Sequence, residues 1–538
     1  MSSDYWEKRA IERMLDLELY STGYAQRITD IYAAAFQQLE EDLQDLLGRY
    51  MEMGELSPEE ARAYLNEPIT TKQRGKLLAM LGAVEDETVR RRLLARIQSN
   101  SYTARAQRLR AIQDNLRIAC ARVAEQEITQ QHKALRDIGA NAYYRTVFDI
   151  AQGTGTVVPF SDVRMERIDA LAAQRWCGPD FSSRVWANTG QMAKHLGEII
   201  RVNLITGKSW QRCLKEMEGF MATPGQGGLF AAERLLRTET ARMANELSAE
   251  ASQDLGAERY RFIAVLDLKT SEVCRLHDGL TDPDTGRPYT YKRKKVGKNF
   301  PPLHPLCRST EAPIFGADTL KGLTRPAQDP ATGEIMSVPA SMTYRQWHRK
   351  YVQGRPEAEL TEKMVQHTAA DRQQWVRYKG ALGKDAPKSL AEFQRLKYTE
   401  NSEWRLVQVD YRRQKQLQEH PETCLPLARN ATAAPEKFTR YLFDPSSEGG
   451  YPKGQTFEKV LGYGRENWEQ LQAALLEKAP MYPTTLKGRS QYGAKYEQPM
   501  VLLGPSGRRA NVIAAWCSNE GKTWLTSAYI KELKQHGD

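Results

Sequence analysis

Two pairs of Cys and His residues constrain the middle of this chain more than any other feature. The pairs are Cys274/His277 and His304/Cys307, each with two residues between its members. Zinc takes four tetrahedral ligands from thiolates and imidazoles, and two closely spaced pairs brought together supply them. A structural zinc at Cys274, His277, His304 and Cys307 would clamp a turn-rich loop with few apolar anchors of its own. Pro301, Pro302 and Pro305 stiffen the second pair. The 26 residues between the pairs make a wider gap than in common zinc fingers. The competing reading is a Cys274–Cys307 disulfide, or packed thiols beside hydrogen-bonded imidazoles. Catalysis by these residues is a third.

The rest of the composition narrows the setting. A chain of 538 residues accommodates three or four domains at roughly 100–200 residues each. Its seven cysteines are odd in number and scattered, unlike a secreted disulfide framework. The opening M-S-S-D-Y-W-E-K-R has no apolar signal core, and no run reaches the length that spans a bilayer. The expectation is a chain made in a reducing cytoplasm, with no membrane partner. The formal net charge of +10 points either to an anionic partner such as nucleic acid or to solvated basic helix faces. Arg90–Arg92 and the cluster Arg105, Arg108 and Arg110 carry the same two readings.

Residue periodicity predicts a multidomain chain. Residues 1–160 read as an N-terminal helical region, with apolar residues from Ile28 to Tyr50 at spacings of three and four. Ser57-Pro58-Glu59-Glu60 has the form of a capping box. Helical patterns continue through Leu77–Arg96 and Ala104–Ala140. Residues 161–335 form the next segment, with a core at 229–315: a helix over Leu229–Leu255 ended by Gly256, then a strand over Arg259–Leu266. Residues 281–299 read as a hairpin or mobile excursion. The glycine-rich loop Thr223–Gly228 is no phosphate cradle, because no strand precedes it and no Gly-Lys-Ser/Thr follows. Residues 336–430 read as a helical extension. After a small-residue linker, 435–538 reads as a separate α+β domain, with a helix over Leu461–Ala479 and strands at Met500–Leu503, Arg509–Trp516 and Trp524–Tyr529.

Three stretches carry a family resemblance: R-L-L-R-T-E-T-A-R-M-A-N at 234–245, D-L-K-T-S-E-V-C-R-L-H-D-G at 267–279 and P-P-L-H-P-L-C-R-S at 301–309. Together they resemble the phage Mu F-like head morphogenesis family, the minor head proteins of tailed phages. The likeness is specific over 229–315 and looser at Tyr5-Trp6 and at V-P-A-S-M-T-Y-R-Q-W, 338–347. Arg237, Thr238, Glu239, Asp267, Gly279, Pro302, His304, Cys307 and Arg308 match. Family members often carry a cysteine where Ser271 stands, so His277 is the expected replacement ligand. The resemblance implies a small α+β head-morphogenesis core in a protein placed inside the head near the portal. It also implies assembly contacts with the portal and major capsid proteins and contact with packaged DNA, after a stay in the host cytoplasm. Arg237, Glu239, Asp267 and Arg308 read as a buried ion network that fixes helix to strand and loop, since buried charges occur paired.

Residues 435–538 resemble something else. E-K-F-T-R-Y-L-F-D-P, Y-P-K-G-Q-T-F-E-K-V-L-G-Y and W-L-T-S-A-Y are similar to the terminal domains of polymorphic toxins, and more distantly to the barnase–EndoU–colicin–RelE group of small RNases. His536 is the only histidine there, so a His/His acid–base pair is excluded. An RNase reading relies on Lys453, Arg508 or Arg509 for phosphate charge and on Thr526 or Tyr529 to position the reacting hydroxyl. The bland reading leaves the cations solvated and puts Trp516, Trp524 and Tyr529 in the core.

Overall fold

A computed structural model describes residues 3–53, 56–98, 107–155, 163, 165–176, 178–222, 228–315, 324–399 and 402–533. The chain forms two compact units, Met1–Tyr351 and Val352–Asp538. It is helical through its N-terminal and middle regions and ends in a four-stranded antiparallel sheet with helices. Among the described residues, no helix is long and apolar enough to cross a membrane. The loop at 223–227, Arg105, the 160/161 boundary and His536 lie outside the described residues.

In the first unit, α1 (Ser3–Met53) packs along α5 (Arg108–Thr154) and α9 (Gly228–Asp254). Between them come α2 (Pro58–Asn66), α3 (Thr71–Gly82), α4 (Glu87–Gln98), α6 (Met165–Ala172), α7 (Phe181–Ile205) and α8 (Trp210–Ala222). Ser57 and Glu60 complete the expected capping box on α2. The single helix expected over Leu77–Arg96 is two, α3 and α4, because the chain turns at Ala83–Asp86. Leu43, Leu47, Tyr50, Ile112, Leu116, Ile200 and Leu204 share one apolar core. The N-terminal region and the 229–315 core belong to the same unit: Trp6, Ala10 and Ile11 of α1 pack against Ile150, Ile263 and Ala312. A side chain at Gly153 would collide with the Trp6 ring, so α1 and α5 meet there at bare backbone.

Gly256, at φ +87°, ends α9 as expected. Strand β1 (Arg259–Ile263) is shorter than the stretch to Leu266 and pairs antiparallel with β2 (Thr310–Ile314). The excursion between them is a turn-rich loop crossed by a Thr281–Pro288 bridge. Short α10 (Glu272–His277) sits in this loop. A second antiparallel pair, β3 (Thr324–Gln328) with β4 (Ile335–Pro339), precedes α11 (Tyr344–Tyr351). The expected helical texture from Ser337 therefore begins only at Tyr344, since Ser337–Pro339 hydrogen-bonds as strand.

In the second unit, α12 (Pro356–Gln366), α13 (Thr368–Leu382), α14 (Leu390–Tyr398) and α15 (Ser402–Glu419) build a helical layer around Tyr378, Phe393 and Trp404. Helix α15 turns Leu406 and Val409 toward Val501 of the sheet. A π-helical turn (Lys437–Leu442), α16 (Tyr451–Leu461) and α17 (Trp468–Lys478) pack on the sheet β5 (Thr485–Ser490), β6 (Gly493–Leu503), β7 (Arg509–Ser518) and β8 (Thr523–Ile530), in that spatial order. The helix expected over Leu461–Ala479 is interrupted, because Gly462 (φ +78°) ends α16 before α17 begins. Three of the four strands match those expected. Strand β5 is the addition.

Buried carboxyls make the first unit pH-sensitive: burial raises Glu311 as well as Glu127 to about 7. Glu127 accepts from Tyr32 Oη at 2.6 Å and from Gln131 Nε2 at 2.7 Å, fully buried between α1 and α5. Burial pushes it up to about 7. Between its ordinary range and about 7 the folded chain holds a proton that the unfolded chain has released. The contribution of this group to stability therefore falls as pH rises through that window. Glu127→Gln is expected to reduce the pH dependence of the first unit's unfolding free energy between about pH 4.5 and 7 by up to about 1.4 kcal/mol per pH unit, with Glu311 supplying the remainder.

Candidate metal centre and the C-terminal site

The clasp region is assembled on α9 and α10. Ser271 caps α10 and accepts the Cys274 amide at 3.4 Å, which fixes Cys274 one turn into the helix. The 301–309 loop brings the other two ligands. Its Leu306 has φ +60°, and its amide donates to Thr238 Oγ1 of α9 at 3.0 Å. That bond holds the turn between His304 and Cys307, whose own amide donates to the His304 carbonyl at 3.2 Å.

Three metal-ligating atoms converge here: those of Cys274, His304 and Cys307 lie within 4.8 Å of one another. The two sulfurs are 3.5 Å apart and both cysteines are free. His304 Nε2 lies 3.3 Å from Cys274 Sγ and 2.7 Å from Ser271 Oγ. His304 Nδ1 is 2.7 Å from the Pro305 carbonyl, which can only accept, so Nδ1 carries a proton. In the neutral ring this leaves the Nε2 lone pair facing the sulfurs, as a ligating imidazole is usually oriented. The hydrogen bond from Cys274 holds the Cys307 thiol well below its usual range, and His304 adds to that despite burial. The same Cys307 contact raises Cys274, with burial adding to it. The pull of Cys307 likewise raises the His304 imidazole against the opposing effect of burial.

His277 is not part of this cluster. It closes α10 three residues beyond Cys274, and its Nδ1 lies 2.9 Å from Tyr289 Oη. Its ring packs on Phe262 and Tyr289, and burial lowers its pKa. Spacing of three would allow His277 to neighbour Cys274, but the aromatic cluster of Phe262 and Tyr289 captures the imidazole instead. Ser271, which the sequence reading set aside as a lost ligand, stands in the cluster instead.

The expected four-charge network is three separate arrangements. Asp267 receives Arg308 in a bidentate pair at 2.6 and 2.8 Å, and Thr270 and the Lys269 amide complete its shell. Burial acts to raise this carboxyl, but Arg308 and Thr270 hold it below its usual range. Glu239 lies elsewhere. It is buried with Arg184, with Arg242 at 3.1 Å and with Trp176 Nε1 at 3.0 Å, and Arg242 also donates to the Leu171 carbonyl at 2.6 Å. Arg237 pairs with Glu233 at 2.9 Å, half-buried on another face. Residues two positions apart on a helix are rotated by about 200°, so Arg237 and Glu239 face different sides of α9. Sequence reasoning missed two buried pairs, Glu7–Arg261 at 2.9 Å and Asp278–Arg325 at 3.2 Å. Their partners are too far apart in the chain for any local signal. A cavity of about 980 Å³ opens between α1, α5 and α9, with Leu306, Cys307 and Arg308 on one wall and Leu17, Tyr24 and Ile138 on the others. The volume is that of a ligand pocket, so the clasp loop borders usable space.

The basic clusters of the helical region are mostly engaged. Arg90 and Arg91 pair with Glu87, and Arg108 pairs with Glu67 at 2.7 Å while lying over the Tyr64 ring.

In the second unit, the five residues expected to carry chemistry separate into two groups. Arg509 is buried, donating to the Asp385 carbonyl at 2.9 Å and facing Glu403 at 3.5 Å. Arg508 is exposed in the β6–β7 turn. Lys453 and Tyr529 do come together, with the ammonium 6.0 Å from the ring centre. Thr526 is three residues before Tyr529 on β8, but its hydroxyl donates to the Ala515 carbonyl at 2.9 Å. Trp516 is core, and Trp524 and Tyr529 are half-buried.

A family model covers this region and no other part of the chain. It is DUF6883, a domain of unknown function, matched over residues 424–532. No curated protein and no solved structure gives a significant match. The DUF6883 match begins at Cys424, upstream of the linker at Asn430–Pro435. That start agrees with the structure, in which Cys424 bridges to Pro483 and Thr432 bridges to Trp524.

Glu239 tests the electrostatics of α9. Glu239→Gln leaves Arg242, with a fully buried side chain, without its counter-charge. The expected loss is about 3–5 kcal/mol in the first unit's unfolding transition, read by chemical denaturation of the full chain. Glu233→Gln, whose partner Arg237 is half-buried, is expected to change that transition by less than about 1 kcal/mol.

Proposed function

We propose that the chain is a minor head protein of a tailed phage, acting in capsid and portal assembly and in DNA packaging or delivery, with a C-terminal effector domain. One observation carries this reading. The three stretches that resemble the Mu F-like family, far apart in sequence, meet in one place: Thr238 of the first holds the loop of the third, beside the Cys274 of the second. The arrangement is a clasp. Its charges are used in packing, its ligand set joins the 301–309 loop to α10, and Thr238 holds that loop on α9. Zinc is the metal that this donor set fits, with two thiolates and one correctly oriented imidazole as ligands. Ser271 Oγ, 2.7 Å from His304 Nε2, is an oxygen that could take a fourth position. The metal's role there is to hold the loop.

The portal and major capsid proteins are the proposed partners, with phage DNA, and the mature head is the proposed location. Mass spectrometry of purified heads is expected to find a few copies per particle, cross-linked to the portal protein. Its absence from heads of a phage that expresses it would sink the reading. Metal analysis of the full chain is expected to give one zinc per molecule. Cys307→Ser is expected to lose that zinc and to lower the melting temperature of the first unit. A metal content that Cys274→Ser and Cys307→Ser leave unchanged would remove zinc from this site.

A second reading assigns RNA cleavage to residues 435–538. The approach of Lys453 to Tyr529 favours it, because a cation beside a phenol is suited to stabilising charge on a phosphate. Incubation of the full chain with tRNA and mRNA is expected to give cleavage that Tyr529→Phe reduces, and intact RNA from a folded chain would refute it.

A further inference from the structure

The C-terminal domain places one lysine among donors that have nothing to donate to. Lys453 Nζ donates to Tyr441 Oη at 2.9 Å and to Ser527 Oγ at 3.4 Å. It lies 5.2 Å from the Tyr441 ring centre and 6.0 Å from that of Tyr529. Among the described residues these are its side-chain partners, and none is a carboxylate. Tyr441 passes its own proton to the Gly449 carbonyl at 3.1 Å, so it accepts from the ammonium and orients it. The hydroxyl protons of Ser527 and Tyr529 have no acceptor among the described residues. A half-buried cation without a counter-ion, beside two unused hydroxyl donors, calls for a ligand that only accepts.

Three local irregularities converge to build this arrangement. Tyr441 lies on the π-helical turn, where the Phe443 amide bonds to the Phe438 carbonyl five residues back. Such turns are rare and concentrate at functional sites. Gly450 and Gly454 flank Lys453, and a Cβ at either would collide with the Tyr441 or Leu442 carbonyl. The first turn of α16 thus lies directly against the π-turn and carries Lys453 to Tyr441. On β8, Thr526 is the extra residue of a bulge, since Ala515 pairs with Ser527 and Trp516 with Leu525. Bulges re-aim side chains next to sites, and this one turns Ser527 and Tyr529 away from the core face that Leu525 occupies.

We propose that Lys453, Ser527 and Tyr529, with Tyr441 as positioning residue, bind the phosphate of a nucleotide or single-stranded RNA. The exposed parts of the two tyrosine rings flank the phosphate position, where a base can stack. The proposal rests on the second reading above for its substrate class, but binding requires no cleavage.

The test uses the full chain and three probes: inorganic phosphate, a nucleoside 5′-monophosphate, and a fluorescent single-stranded 2′-O-methyl oligoribonucleotide, which cannot be cut through its 2′-hydroxyl. The oligonucleotide is expected to bind best. Lys453→Met is expected to weaken it about tenfold to a hundredfold. The slope of log affinity against log salt should fall by about 0.7, the signature of one lost phosphate contact. Lys453→Arg should retain most of the binding, Ser527→Ala and Tyr529→Phe should each lose a few-fold, and Lys459→Met, exposed on the same helix, should lose nothing. If Lys453→Met melts early, the arginine, alanine and phenylalanine variants decide the matter. Unchanged binding in both Ser527→Ala and Tyr529→Phe, or binding to none of the probes, overturns the site. Phosphate binding with no preference for the nucleotides overturns the ligand class. Lys453-dependent binding without cleavage of ordinary RNA keeps the site and refutes the RNase reading. Cleavage that survives Lys453→Met does the reverse.

Discussion

The buried carboxylate of Glu239 is the interaction on which the first unit depends. Arg242 has no exposed side-chain surface, and a guanidinium in that position is tolerable only with a counter-charge. Glu239 supplies the charge and the Leu171 carbonyl takes one donor, so α9 is fixed against α6, while Arg184 ties it to α7. One residue earlier, and about 100° around the helix, Thr238 accepts the Leu306 amide. A single helical turn thus sets both the packing of the helical body and the position of the Cys/His loop. A displacement of α9 therefore reaches the clasp directly.

Much of this was legible in the sequence, because it is local. The capping box of α2, the glycine stop of α9 and three of the four C-terminal strands are written within a few residues of where they act. The misses have a common cause. His277 has the right spacing for a ligand, but side-chain direction depends on the aromatic cluster of Phe262 and Tyr289, which sequence spacing does not encode. Strand β5 is an exposed edge containing Lys487, Gly488 and Arg489, so it lacks the apolar alternation that marks a strand. Glu7–Arg261 and Asp278–Arg325 join residues far apart in the chain. Ser271 was discounted by comparison with a family pattern, and three-dimensional proximity returned it to the cluster.

The two units use charge differently. In the first, the acidic and basic groups around the clasp are matched, buried and spent on packing. In the second, Arg509 is also spent on packing, but Lys453 is left with hydroxyls and rings. A cation held this way is pre-organised, because its neighbours fix its position without neutralising it. The glycine seam at Gly450 and Gly454 makes that possible by removing the side chains that would otherwise keep α16 and the π-turn apart.

Helix α1 carries a last consequence. Its 51 residues extend about 77 Å without a proline. One end touches β1 and β2 through Trp6 and Ile11, and the far end packs Leu47 and Tyr50 into the main helical core. Opening either end exposes apolar surface that the same helix buries elsewhere. The same helix therefore joins the β1–β2 pair and the main helical core. A cut near residue 160 would take Ile263 and Ala312 from the first turns of α1 and Ile200 and Leu204 from its last, so both ends would be left with apolar surface uncovered.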